Sequence, residues 1–145
     1  MTQLDVNAAM LNTLQQILQA LVSKDQTGIP YMAEIDVVNL GASTVNYTGG
    51  TINLGLQQDF VITHLSSKST GVYSFQWREA GTGFWNSKNA IRSDTLFLGY
   101  EPVKLSTPYR IPAGSTQIES LINELSGLTN SIYLLFIGEL RQPGT

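Results

Sequence analysis

The sequence predicts a mainly β protein, an antiparallel β-sandwich or barrel preceded by one amphipathic α-helix. Three observations lead to this fold class. From residue 31 onward, turn signals recur at roughly ten-residue spacing, which is typical of sandwiches and barrels. Residues 2–23 instead show an apolar pattern that repeats every seven residues. Residues 132–137 form an unbroken apolar run, and its length and β-branched content predict a strand buried on both faces.

The remaining strands follow from alternating apolar residues and from turn residues. Thr48-Gly49-Gly50 stands between two short β-prone segments, which predicts a hairpin there. Residues 66–71 read as a polar loop, and residues 115–123 are ambiguous between a short helix and a strand. Strands are predicted at residues 31–40, 45–47, 51–54, 60–65, 72–78, 96–98, 109–111 and 132–140.

Composition narrows the function classes. Charged residues make up 13% of the 145 residues, against about 25% in ordinary globular chains. The net charge is −3 without any basic cluster, so we expect no nucleic-acid partner. The chain has no cysteine, which excludes disulfides and thiolate metal ligands. Neither a signal peptide nor an apolar run of about 20 residues is present, so we expect no membrane partner.

The helix is predicted to be an oligomerisation segment over residues 1–23, joined by a linker at 24–30 to a sandwich domain at 31–145. Thr2 can cap the helix, and Gly28 with Pro30 prevents its continuation. The heptad pattern places one residue set on a single seam, with a polar residue at one position. The seam consists of Leu4, Asn7, Leu11, Leu14, Leu18 and Leu21.

Two interpretations of this seam compete. The helix can pack its stripe on its own sandwich, or it can pair with copies of itself. We expect self-association, because a polar residue such as Asn7 in a seam is typical of positions that set register. Charged residue pairs that flank the seam are missing. Met10 and Ile17 make the apolar stripe wider than a two-stranded coiled coil needs. This breadth predicts three helices or more.

His64 is the only histidine, so a site with several histidine ligands is excluded. It could join a Ser-His-Asp triad with Asp59 or Asp94, but no nucleophile motif accompanies it. We therefore interpret His64 as a structural residue.

The carboxylates are scattered, and only Glu34 and Asp36 are placed to share one strand face. A glycosidase pair could have that arrangement, but alternating acids on a solvated face are commoner. Gly81-Thr82-Gly83 lacks the lysine and helix of a phosphate loop. We expect no catalytic residue, no metal site and no cofactor.

Aromatic residues provide one further candidate site. Trp77 alternates with core-like positions, with Tyr73 on the same face, and we expect it to be buried. Phe84 and Trp85 follow a glycine-rich turn, where one of them could contact a partner or a glycan. Asn46-Tyr47-Thr48 is a glycosylation sequon, to which we give no weight without a secretion signal.

Four segments follow one another in the C-terminal half: 79–86 (Glu-Ala-Gly-Thr-Gly-Phe-Trp-Asn), 111–115 (Ile-Pro-Ala-Gly-Ser), 126–134 and 136–141. Their order resembles small jelly-roll accessory proteins of tailed-phage virions, such as capsid cement or decoration proteins. The resemblance implies a jelly-roll β-sandwich that forms oligomers and binds other virion proteins, without chemistry. It offers no functional residue to transfer, and the N-terminal helix lies outside it.

The sequence therefore predicts a non-enzymatic virion structural protein, a homotrimeric cement or decoration protein that stabilises or decorates a capsid. Its expected partners are copies of itself and the major capsid protein or other virion proteins. Its expected location is the virion, after assembly in the host cytoplasm. The alternative is a receptor-binding or carbohydrate-binding module of a tail or fibre with the same fold. A small hydrolase built around His64 is a third, less favoured, hypothesis.

Overall fold

The structure is a computed structural model, and the residues that it describes form a long N-terminal helix, eight β-strands and a short helical turn. The helix α1 spans Gln3–Asp25. The strands are β1 (Ile29–Leu40), β2 (Thr51–Asn53), β3 (Asp59–Ser69), β4 (Tyr73–Glu79), β5 (Ile91–Arg92), β6 (Val103–Ile111), β7 (Gln117–Glu124) and β8 (Asn130–Arg141), with a helical turn α2 (Ser93–Leu96) between β5 and β6. The described residues are 3–25, 28–80, 84–99, 101–115 and 117–143, without the side chains of 3–5 and 19–25.

The strands form two antiparallel four-stranded sheets, with the orders β1-β8-β3-β6 and β2-β7-β4-β5. The first strand pairs with the last, the second with the seventh, the third with the sixth and the fourth with the fifth. A long hairpin rolled onto itself produces this order, which is that of a jelly roll. The predicted fold class, an antiparallel sandwich preceded by one helix, is confirmed.

The core lies between the sheets and is rich in aromatic side chains. Phe60, Tyr73, Phe75 and Phe136 are fully buried. Trp77 is also buried, as predicted, and its ring lies 5.0 Å from that of Phe136 across the sandwich. Edge-to-face contacts of this kind stabilise a core beyond the area they bury. They therefore join the two sheets as well as filling the space between them.

Strand β8 differs from its prediction. It is central in its sheet, but only alternate residues, among them Ile132, Leu134 and Phe136, are buried. Tyr133, Leu135 and neighbouring residues of the opposite face are half-buried. The prediction of burial on both faces is wrong, because no described layer covers the outer face of this sheet.

Two strand predictions and one loop prediction are also wrong. Residues 45–47 form no strand, because Asn46 has a positive φ of 53°, which interrupts extended backbone. Only Tyr47 pairs with β7, in an isolated bridge to Ile122. The predicted hairpin is therefore absent, and β2 pairs with β7. Residues 66–69 continue β3 because the long β8 pairs with them as far as Ser69. Residues 96–98 are not a strand, since Leu96 is the last residue of α2 and Phe97 is its C-cap.

The region between residues 115 and 123, which was ambiguous, is occupied from Gln117 by strand β7. The helix spans two residues more at its C-terminal end than the predicted 2–23. The predicted cap Thr2 lies outside the described residues.

Candidate functional site

The apolar stripe of α1 faces solvent. Met10, Leu11, Leu14, Ile17 and Leu18 are each between 51% and 62% exposed. Side chains packed on a sandwich would be largely covered, as those of the core are. The described part of the stripe therefore does not lie on the sandwich of its own chain.

The structure describes four of the six predicted seam residues. Asn7, Leu11, Leu14 and Leu18 are exposed, and their heptad spacing keeps them on one side of a continuous helix. The side chains of Leu4 and Leu21 lie outside the described residues.

A second row of side chains widens this face. Together with Ala9 and Thr13, the side chains of Val6, Met10 and Leu14 line an open surface recess of about 380 Å³. The hydroxyl of Thr13 donates to the carbonyl of Ala9 at 3.1 Å, so its methyl group can contribute to the apolar surface. A recess between larger side chains can receive a knob from a facing helix.

The helix also lacks formal charge over most of its length. No charged residue occurs between Asp5 and Lys24. Its polar face consists of Asn, Gln, Thr and Ser, so ion pairs along the seam are excluded. In the described part of the chain, no helix combines the length and apolarity that crossing a membrane requires.

The second predicted site, at Phe84 and Trp85, lies beside β4. Phe84 is 81% exposed, whereas Trp85 is half-buried. The guanidinium carbon of Arg78 lies 4.3 Å from the Trp85 ring centroid, and Arg78 Nε donates to a Glu119 carboxylate oxygen at 2.9 Å. Arg78 thus covers part of the indole, while Phe84 presents an aromatic surface to solvent. The predicted turn at residues 81–83 lies outside the described residues.

His64 is half-buried on β3, and its Nδ1 is 2.8 Å from the hydroxyl of the adjacent Thr63. The two carboxylates considered for a triad have arginine partners. Asp59 accepts from Arg110 at 2.6 Å, and Asp94 accepts from Arg92 at 2.9 Å.

Glu34 and Asp36 do share the outer face of β1, as predicted. A hydrogen bond with Asp36 raises the pKa of Glu34, and a small loss of solvation and repulsion by the Asp36 charge raise the pKa further. Among the described residues, no three His, Asp or Glu side chains come together as a metal site would require.

The sequence did not indicate a cleft of about 620 Å³ beside the end of β3. Strand β6 pairs with β3 only as far as Leu65, so the edge of β3 beyond it borders this cleft. Its walls come mainly from residues 66–72 and from parts of 93–99. No local pattern announces the cleft, because it depends on where a strand distant in sequence leaves the sheet.

The sequence also did not indicate the role of Glu124, a buried carboxylate at one end of the sandwich. Its oxygens accept hydrogen bonds from the amides of Ser43, Ser126 and Gly127 at 2.7 to 3.0 Å, and from the side chains of Ser126 and Asn130. Burial alone would raise the pKa of this carboxyl, but these hydrogen bonds outweigh burial and lower the pKa to about 2. Glu124 therefore joins the loop after β1 to the loop after β7.

Comparison with known proteins assigns no family: no protein-family model matches this chain, and a search of curated proteins found no significant match.

Proposed function

We propose that this protein is a non-enzymatic structural protein that assembles into a homotrimer through α1. The exposed stripe of Met10, Leu11, Leu14, Ile17 and Leu18 is the observation that carries the proposal. Monomeric soluble proteins rarely expose contiguous apolar surface of this kind without a binding function. Burying each leucine contributes roughly 1.5–3 kcal/mol. An isolated helix of this length is marginal in water, so partners would also stabilise the helix itself.

Three copies fit the stripe better than two. A two-stranded coiled coil buries a narrow a/d seam, whereas this helix adds a second apolar row through Met10 and Ile17. The exposed Asn7 within the seam would meet its counterparts and penalise shifted registers.

Within this class, we assign the protein to the virion of a tailed phage, as a cement or decoration protein of the capsid. The jelly-roll strand order is used repeatedly in viral capsid proteins, although it also occurs in lectins and cupins. The resemblance of residues 60–141 supports the same assignment, and the low charge suits a subunit largely covered by neighbours. Its partners would be the major capsid protein or other virion proteins.

Solution mass tests the assembly. Leu14→Glu places a charge on the seam, whereas Gln16→Glu places the same charge at an exposed helical position off it. We expect sedimentation equilibrium to find trimers for the unmodified chain and for Gln16→Glu, and monomers for Leu14→Glu. A monomeric unmodified chain would reject self-association through the helix.

Binding to capsids tests the virion assignment. Shells of the encoding phage, stripped of accessory proteins, should bind the trimer at a saturating stoichiometry. Leu14→Glu should bind more weakly, because a monomer loses the avidity of three linked contacts. Failure of the intact trimer to bind the shell would remove the capsid role.

Phe84 supports the alternative function, a receptor-binding or carbohydrate-binding module. An aromatic ring that is 81% exposed, beside the Arg78–Trp85 pair, is a surface on which a sugar could stack. Retention on a glycan array that is lost in Phe84→Ala would favour this module over the cement protein.

A further inference from the structure

The connection between α1 and β1 is short. The helix ends at Asp25 and the strand begins at Ile29. Four Cα steps span at most about 14 Å. Because packed helices lie about 8–10 Å apart, a parallel bundle brings the first residues of β1 from its copies close to one another. In such a bundle, the beginning of each sandwich would be held near the bundle axis.

Apolar side chains are exposed at this end of β1. On the outer face of the sheet, Met32 is 61% exposed and Pro30 is also exposed. Ile29 is 57% exposed, but it belongs to the opposite face of the strand because side chains alternate. Met32 lies opposite Ile137 of β8 on the outer face of the first sheet, and Ile137 is half-buried. We call Pro30, Met32 and Ile137, which share the outer face, the basal strip.

The strip begins at a well-defined point. A side chain at Gly28 would collide with the side chain of Glu139, so the chain before β1 lies directly against β8. This close approach places the exit from the linker beside the basal strip. Glu139 itself lies opposite Pro30 on the outer face, and its carboxylate is neutralised by an ion pair with Arg141.

The outer face changes character farther along β1. Glu34 and Asp36, the next outward residues, are both exposed carboxylates. Around a symmetry axis, equivalent carboxylates from several copies would repel one another. Contact between sandwiches should therefore include Met32 and end before Glu34.

We propose that the basal strip is a second interface between copies, at which neighbouring sandwiches pack against one another beneath the helical bundle. This inference rests on the proposed self-association through α1. The occupant of the strip is the basal strip of the adjacent copy, and the interface is continuous with the helical one. The sandwiches would then be held in a defined arrangement around the axis instead of swinging on their linkers.

Single cysteines in the full chain test this arrangement, since the native sequence contains none. Met32→Cys probes the strip. Val38→Cys is the matched control, because Val38 lies on the same strand with the same 61% exposure. It stands about 20 Å farther along β1. Leu14→Cys reports on the helical interface. Each variant is treated at micromolar concentration with a short bismaleimide, and circular dichroism confirms folding.

We expect cross-linked dimers at positions 14 and 32, with a rate at 32 that exceeds the rate at 38 on the order of ten-fold or more, since neighbours in an assembly have a high effective concentration. Cross-linking at 14 with equally slow reaction at 32 and 38 would overturn the second interface and leave helical association standing. Cross-linking at 32 alone would uphold the strip and reject the helix as the assembly element. Reaction at neither 14 nor 32 would overturn both.

Discussion

At the residue scale, Glu124 shows how one buried charge can hold loops together. The residue is 3% exposed, and its carboxylate accepts hydrogen bonds from backbone amides of two loops at one end of the sandwich. In the sequence, Glu124 is only one of several scattered acidic residues. The partners that define its role, Ser43 and Asn130, become neighbours only when the two loops meet.

The lowered pKa of Glu124 predicts how stability depends on pH. The unfolded carboxyl titrates near 4.5 and the folded one near 2, so the folded state holds fewer protons between these values. The contribution of Glu124 to stability is complete above the unfolded pKa and is lost as the pH falls toward 2. We expect Glu124→Gln to be destabilised at pH 7, because an amide has one acceptor oxygen for several donors.

Urea denaturation from pH 7 to pH 2 at fixed protein concentration measures this effect. The difference between the unmodified chain and Glu124→Gln should shrink below pH 4.5. Glu101→Gln, at an exposed loop position, is the control and should follow the unmodified chain. A constant difference across the pH range would show that the charge of Glu124 does not stabilise the fold.

At the element scale, α1 is notable for combining a wide apolar stripe with uncharged polar residues. The heptad pattern was readable from sequence because helical periodicity depends on local spacing alone. The sequence could not show that the stripe is left uncovered by its own sandwich, because the same heptad pattern suits a helix packed on a β-domain. The two interpretations differ only in tertiary contacts.

This composition predicts that helical association is insensitive to salt. No charged residue lies between Asp5 and Lys24, so apolar contact supplies the attraction. Between about 0.1 M and 1 M NaCl the screening length falls from about 10 Å to about 3 Å, which weakens exposed ion pairs. We expect the sedimentation mass to remain that of the trimer over this range. Dissociation at high salt would instead indicate ionic contacts between copies.

At the scale of the whole molecule, the sandwich depends on aromatic contacts between its two sheets. Phe136 is fully buried on β8 and meets Trp77 from the opposite sheet. Phe84 has the same side chain but is 81% exposed. The pair therefore separates the effect of burial from that of residue type.

We expect Phe136→Ala to lower the free energy of unfolding by about 3–5 kcal/mol, because it removes buried area and leaves a cavity. Phe84→Ala should change it by no more than about 0.5 kcal/mol. Urea denaturation at one protein concentration compares the two, since association also contributes to apparent stability. Equal effects would mean that the sheets do not depend on this contact.

The class of the fold, the N-terminal helix with its seam, and the burial of Trp77 followed from the sequence, because each depends on the spacing of apolar residues along a few turns or one strand. Strand partners did not follow. The segment at 45–47 looks as suited to a hairpin as β2 does, but Tyr47 bonds to Ile122, 75 residues away. The pairing of strands, the half-buried outer face of β8 and the role of Glu124 depend on which distant segments the rolled chain brings together. Local periodicity does not determine which segments those are.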